Sequence, residues 1–299
     1  MAGYLIKNSK SMRLTSARPF EVRNKTYQQK EPHRIYIIFS EGVATEQIYL
    51  HELSKSKRKK ENIQIYPVNR WRSAIGHSNQ YQLVLDIIEY INHIQNISPK
   101  DKKKFRNYYN QITNGCDIIT LLNISESIKK LVDKYPNILS HVDKIQEQLL
   151  AVDRFISFDK NYDKIIILID RDRKSFTTEQ FHETIQLCNK NKLTLCITNP
   201  CFEFYLLCHL NHLQKIDHTK LAINEKIGNK TYIELLLNQE MKSQLNLSFQ
   251  KNNYDPSYFI NHFEKGYKNI SQFSTKNEEL ENQIGSSLFD FISEVINTK

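Results

Sequence analysis

Long apolar runs are missing from this chain. Nothing approaches the roughly 20 consecutive apolar residues of a membrane-spanning helix, and mean hydropathy is −0.57. Residues 1–30 also lack the apolar core of a secretory signal. These absences predict a cytoplasmic protein with no membrane partner. Cysteine is sparse: Cys116, Cys188, Cys196, Cys201 and Cys208 make five, with no C-x-x-C pair. An odd count without paired spacing argues against a zinc site or a disulfide framework, and predicts buried thiols in a reducing compartment. No internal repeat is visible.

Positive charge is what the chain has in excess. Lys and Arg number 42 against 33 Asp and Glu, for a formal net charge of +9. That balance suits a polyanion, commonly nucleic acid, and equally describes a basic protein without such a partner. The 299 residues allow one large domain, or one domain with a sizeable insertion.

Residues 1–30 form a basic arm without a periodic apolar face, either a tail or a segment laid on nucleic acid. Ile35–Phe39 is apolar and β-branched, as in a strand buried on both faces. Ser40-Glu41-Gly42 follows, and then Thr45 as a cap for a helix carrying Glu46, Ile48, Tyr49 and Leu53. Asn62–Val68 reads as a second strand, placed at an edge by Pro67. Asn79–Ile97 has a helical apolar face. Residues 98–155 read as a helical insertion without a strand partner. Ile165–Ile169 is the next buried strand, closed by Asp170-Arg171-Asp172. Thr177 and Gln180 fit a capping box, with Phe176 and Phe181 as its hydrophobic staple. Leu193–Thr198 is a further strand. Asn199-Pro200 then reads as a helix cap with a first-turn proline. Tyr232–Leu237, Pro256–Ile270 and Leu288–Ile296 look helical. The order predicts an α/β fold, a mostly parallel sheet with helices on both faces, spanning 31–97 and 156–299.

Ligands of open parallel sheets gather at the carboxyl ends of the strands. Glu41, Asp170 and Asp172 sit there. Strand alternation predicts that Asp170 and Asp172 point to one side and Arg171 to the other. Packed carboxylates repel and raise each other's pKa, and a divalent cation removes the conflict. All-oxygen ligands suit Mg²⁺ or Mn²⁺ rather than zinc. The expected chemistry is at a phosphodiester, with Glu41, Asp170 and Asp172 as metal ligands and Glu41 alternatively a general acid or base. Glu46, in a helix first turn, is either a dipole-compensating carboxylate or part of the site. Glu203, between Phe202 and Phe204, needs a buried partner, and reads either as a support of the acidic centre or as a residue outside it. Asn199 is a helix cap or a supporting residue, and Lys265 a surface lysine or a phosphate neutraliser. His209 and His212 read as dipole or core residues. The basic runs Lys57–Lys60 and Lys102–Lys104 read as solvated loops, or as phosphate contacts if they share a face. Trp71 between Arg70 and Arg72 reads as a core edge or a base-stacking residue.

Three stretches resemble the RloB family of Toprim-type proteins. Arg34 to Tyr49 is similar to its strand followed by E-G-x-x-T-E-x-x-Y. Ile165–Asp172 is similar to its apolar strand ending in D-x-D. Thr198 to Leu207 is similar to its N-P-C-F-E-x-W-L-L motif, with Tyr205 in place of Trp. Phe263-Glu264-Lys265-Gly266 resembles a weaker lysine motif. The insertion at 98–155 departs from shorter members. The resemblance implies a Toprim-like fold and a metal-dependent nuclease of bacterial antiviral defence, with an AAA/ABC-type ATPase as partner. By analogy with related effectors RNA is favoured over DNA as the nucleic acid, tRNA in particular. A DNA endonuclease or nickase of the OLD type is the enzymatic alternative. A nucleic-acid or nucleotide sensor that kept the fold and lost the chemistry is the other.

Overall fold

The structure is a computed structural model that describes residues 33–42, 44–68, 80–95, 98–101, 103, 107, 158–210 and 216–297. The basic arm, Arg70-Trp71-Arg72, His212, Cys116 and nearly all of the 98–155 insertion lie outside the described residues.

Four strands pair in parallel: β1 (Arg34–Ser40), β2 (Ile63–Val68), β3 (Lys164–Asp170) and β4 (Thr194–Asn199). A two-residue pair, Gly285–Ser286, adds antiparallel to β4, so the sheet order is β2-β1-β3-β4 and then this short strand. Pro67 lies in β2, at the sheet edge, where its missing N–H leaves no ladder bond unmade. The aliphatic runs create two cores by alternation. Tyr36, Ile38, Ile166 and Leu168 face one side, Ile35, Ile37, Phe39, Ile165, Ile167 and Ile169 the other, and all are buried. The fold is thus α/β with both sheet faces covered.

Helices α1 (Thr45–Lys55) and α2 (Gln80–Gln95) follow β1 and β2, and α3 (Thr178–Lys190) follows β3. Helix α3 starts as its sequence predicts. Thr177 accepts from the Gln180 backbone N–H, Gln180 reciprocates, and Phe176 packs on Phe181 with ring centroids 5.7 Å apart. After β4 come α4 (Phe202–Leu207) and α5 (His218–Ile223), then the hairpin β5 (Lys226–Ile227) and β6 (Lys230–Thr231). Helices α6 (Tyr232–Leu245), α7 (Ser257–Asn261) and α8 (Phe263–Ile270) follow. The Gly285–Ser286 strand, β7, and α9 (Leu288–Val295) end the described fold.

Two capping expectations are corrected. Thr45 is the first helical residue, not the cap of α1; its hydroxyl donates instead to the Lys251 carbonyl at 3.1 Å. Asn199 ends β4 rather than capping α4, whose N-cap is Cys201. Its amide donates to the carbonyls of Leu280 and Gln283, at 2.8 and 2.9 Å, and so ties β4 to the segment entering β7. The continuous helix expected over 256–270 breaks at His262 into α7 and α8. The run Lys57–Lys60 is not simply solvated. Arg58 donates to the carbonyls of Ile260 and Asn297 and pairs with Glu264, while Lys60 donates to the Glu294 carbonyl. Those residues fasten the end of α1 to the C-terminal helices.

Among the described residues, no helix is long and apolar enough to cross a membrane. Cys188, Cys196 and Cys208 are buried free thiols and Cys201 is a half-buried one.

Candidate functional site

The parallel register decides which carboxylates meet. Ser40 pairs with Leu168, and the Glu41 N–H extends the ladder to the Leu168 carbonyl at 3.0 Å. Glu41 therefore arrives beside Asp170, although 129 positions separate them: its Oε2 accepts from the Asp170 backbone N–H at 3.1 Å. Its Oε1 accepts from the Gln80 side chain at 3.0 Å, at the start of α2. Glu46 enters from the first turn of α1, and Glu203 from the first turn of α4, directly after β4. Both are almost fully buried, with 7 and 3% exposure, so neither charge is left to solvent.

Electrostatics identify these four as one group. The Asp170 carboxyl is held well above the ordinary carboxylate range, first by burial and then by Glu46, Glu41 and Glu203; the backbone N–H of Phe202 opposes this. The Glu46 carboxyl is pushed up to about 7, again first by burial, with Glu203 and Glu41 adding to it. Lys251 offsets part of this charge, at Glu203 and Glu46. Its Nζ lies 3.0 Å from Glu203 and 3.9 Å from Glu234. Burial alone would lower the Lys251 ammonium, but Glu203 and Glu234 raise it above its usual value.

Gly42 is required by a close approach. A Cβ there would lie 1.9 Å from the Glu46 Oε2. The Glu-Gly pair is thus a carboxylate followed by the gap into which a second carboxylate folds. Helices α1 and α4, which carry Glu46 and Glu203, are joined directly. The hydroxyls of Tyr49 and Tyr205 share a buried hydrogen bond of 2.6 Å, with the rings edge to face at 5.4 Å. Tyr205 supplies half of that link. Tyr254 donates to the Thr45 carbonyl at 2.8 Å, and the Thr45 hydroxyl to the Lys251 carbonyl, so the loop bearing Lys251 is pinned to the start of α1.

Asp172 reaches the group indirectly: the Ser175 hydroxyl that it accepts from lies 3.5 Å from the Gln80 side chain, which holds Glu41. The strand ends at Asp170, so the alternation predicted for Asp172 does not continue. Asp172 is exposed, and its oxygens accept from the Lys174 N–H at 2.9 Å and the Ser175 hydroxyl at 2.8 Å. Arg171 is buried instead, its guanidinium 5.5 and 5.0 Å from the ring centroids of Phe176 and Phe181. Lys265 stands on α8 near His209, whose pKa it helps lower after burial has done most of the work, to about 3. His209 is a neutral core residue, its Nδ1 at 2.9 Å from the Tyr205 carbonyl. Asn199 sits beneath the edge as a strut between backbone segments. Lys251 and Gln80 are residues that sequence reasoning missed. Neither carries a signal: one lies in an irregular loop, the other opens a helix as an ordinary polar residue.

The four carboxylates are chemically the donors of a hard divalent cation, and the adjacent Cys201 thiol, hydrogen-bonded to Glu203, is pushed up by burial and by Glu203 and Asp170, which keeps it protonated. Among the described residues, no three His, Cys, Asp or Glu side chains are grouped as ligands of a single ion. Mg²⁺ keeps several waters and takes one or two protein carboxylates together with substrate phosphate, so Glu41 and Asp170, joined through the Asp170 N–H, are the pair whose chemistry suits it.

A family model described as RloB-like protein matches residues 36–295. That span begins inside β1 and ends at the last residue of α9, so it contains every element that positions the acidic group. No curated protein and no solved structure matches.

Proposed function

This chain belongs to the RloB-like family, and from that premise we propose that it is a metal-dependent nuclease that hydrolyses phosphodiester bonds in bacterial antiviral defence. The observation that carries this reading is the group of Glu41, Glu46, Asp170 and Glu203 at the carboxyl edge of a parallel sheet, with Lys251 paired to Glu203. Burying that much like charge is costly unless a cation completes the site. Glu41 and Asp170, on adjacent strands, are the residues assigned to hold Mg²⁺ or Mn²⁺, with Glu46 and Glu203 around them and Asp172 at the rim. Bound there, the metal supplies Lewis-acid polarisation of the phosphoryl oxygens and stabilises charge on the entering or leaving oxygen.

The remaining work falls to the chain. Gln80 and the Asp170 N–H fix the Glu41 carboxylate in place. Glu46, titrating near neutrality, holds or gives up a proton at its carboxylate during turnover. Lys251 offers the positive charge that a scissile phosphate would meet beside Glu203. RNA, and tRNA in particular, is the favoured substrate by analogy with ATPase-coupled defence effectors, and an AAA/ABC-type ATPase is the favoured partner.

Purified protein incubated with labelled tRNA and with supercoiled plasmid, in Mg²⁺, Mn²⁺ or EDTA, tests this. Metal-dependent tRNA cleavage is expected, lost by about 10²-fold or more in Glu41→Gln and Asp170→Asn. Nicked plasmid beside intact tRNA would overturn the RNA assignment. A biological effect unchanged in both variants would overturn the nuclease assignment itself.

A further inference from the structure

An open cleft of about 590 Å³ lies next to the acidic group. Its wall is shared with the site, because Lys251 lines the cleft and reaches Glu203 on one side and Glu234 on the other. The opposite wall is the β5–β6 hairpin. Ile227 pairs with Lys230 across a two-residue turn whose first position, Gly228, has φ +62, the backbone state that glycine supplies at no steric cost. The hairpin sets Lys226 and Lys230 at the cleft. Three lysines therefore face one carboxylate, Glu234, which pairs with Lys230 at 3.5 Å. The other lining residues are uncharged hydrogen-bonding groups such as Asn229 and Asn252, and none is aromatic.

From this we infer that the cleft seats the sugar–phosphate backbone of a nucleic-acid strand flanking the acidic group. The inference rests on the reading of that group as a phosphodiester site. Lysines that line one cleft neutralise phosphates as point charges. Amide and hydroxyl side chains bond phosphate and sugar oxygens, which position a strand without reading it. Without an aromatic platform there is no base stacking of the kind that single-strand binders use, so base identity is not sensed here. Glu234 holds two of the lysines in place and offsets one of the three positive charges that line the cleft.

Binding in EDTA isolates the cleft from metal and cleavage. Fluorescence anisotropy would be measured on the full chain with short labelled single strands, one RNA and one DNA of the same sequence, and one RNA of altered sequence. The double variant Lys226→Gln/Lys230→Gln is expected to weaken binding about tenfold and to lower the slope of log affinity against log salt by about 1.4, roughly 0.7 per lost phosphate contact. Glu234→Gln frees Lys230, leaves Lys251 paired with Glu203 alone, and is expected to tighten binding, a direction that misfolding cannot produce. The RNA and DNA arms separate a contact to the 2′-hydroxyl from a contact to phosphate alone. Unchanged affinity and salt slope in the double variant, or strong dependence on base sequence, would overturn the inference. Failure of the nuclease reading would show separately, as absence of cleavage by the wild-type chain in Mn²⁺.

Discussion

Gly42 shows what a single residue contributes to the acidic group. A methyl at its α-carbon would occupy the space of the Glu46 carboxylate, which is the end of a flexible side chain rather than fixed backbone. Gly42→Ala is therefore expected to move Glu46 out of the group while costing little stability. Cleavage should fall by about 10²-fold, the scale of a lost acid–base contribution, with a melting temperature close to wild type. An active Gly42→Ala protein would remove Glu46 from the proposed chemistry. The same scale explains why Asp172 does not continue the strand alternation expected of it. Alternation holds only while the chain stays extended, and β3 ends one residue after Ile169. Beyond that point a local Asx-type turn, with Asp172 accepting from Lys174 and Ser175, competes better than continuation of the strand.

At the scale of elements, legibility depended on how much signal each segment carried. The aliphatic runs of β1 and β3 identify themselves, since five or more consecutive apolar residues suit a strand buried on both faces. The start of α3 was equally legible, because a capping box and a hydrophobic staple are local and agree with each other. Thr177→Ala should cost about 1 kcal/mol, as loss of an N-cap does, and should leave cleavage untouched because α3 packs on the sheet face away from Glu46 and Glu203. Thermal unfolding and a cleavage assay on that variant check both halves. Asn199 was misassigned because the residues that cap helices also bond loop carbonyls, and only the position of Leu280 and Gln283 decides between the two. The two-residue strand β7 is too short for any periodic pattern.

For the whole molecule, the acidic group links stability to pH and metal. Glu46 has its pKa raised to about 7, by burial first and then by Glu203 and Glu41, and Asp170 is raised in the same sense. A carboxyl raised on folding favours the protonated state. Its contribution is fully present below the ordinary value of 4.5 and is lost as pH rises through about 7. For Glu46 the loss is on the order of 3 kcal/mol. In EDTA the melting temperature should fall between pH 5 and pH 8, and Glu46→Gln should flatten that fall. Mg²⁺ or Mn²⁺ should restore stability at pH 8 and have little effect at pH 5, where protons occupy the group. A wild-type profile that is flat, or insensitive to metal at pH 8, would contradict the charge balance described here.

The sequence by itself determined the α/β class, the buried strands, the family and the two carboxylates at strand ends, because each is written in contiguous residues. Tertiary structure decided the composition of the site. Parallel pairing of β1 with β3 brings Glu41 to Asp170, and the Tyr49–Tyr205 link brings Glu46 to Glu203. Loop packing places Lys251 between Glu203 and Glu234, at a distance in sequence that no local pattern spans. The physical reason is the same in each case. Helix and strand signals arise from neighbours along the chain, whereas the energy of a buried charge depends on every group around it in space.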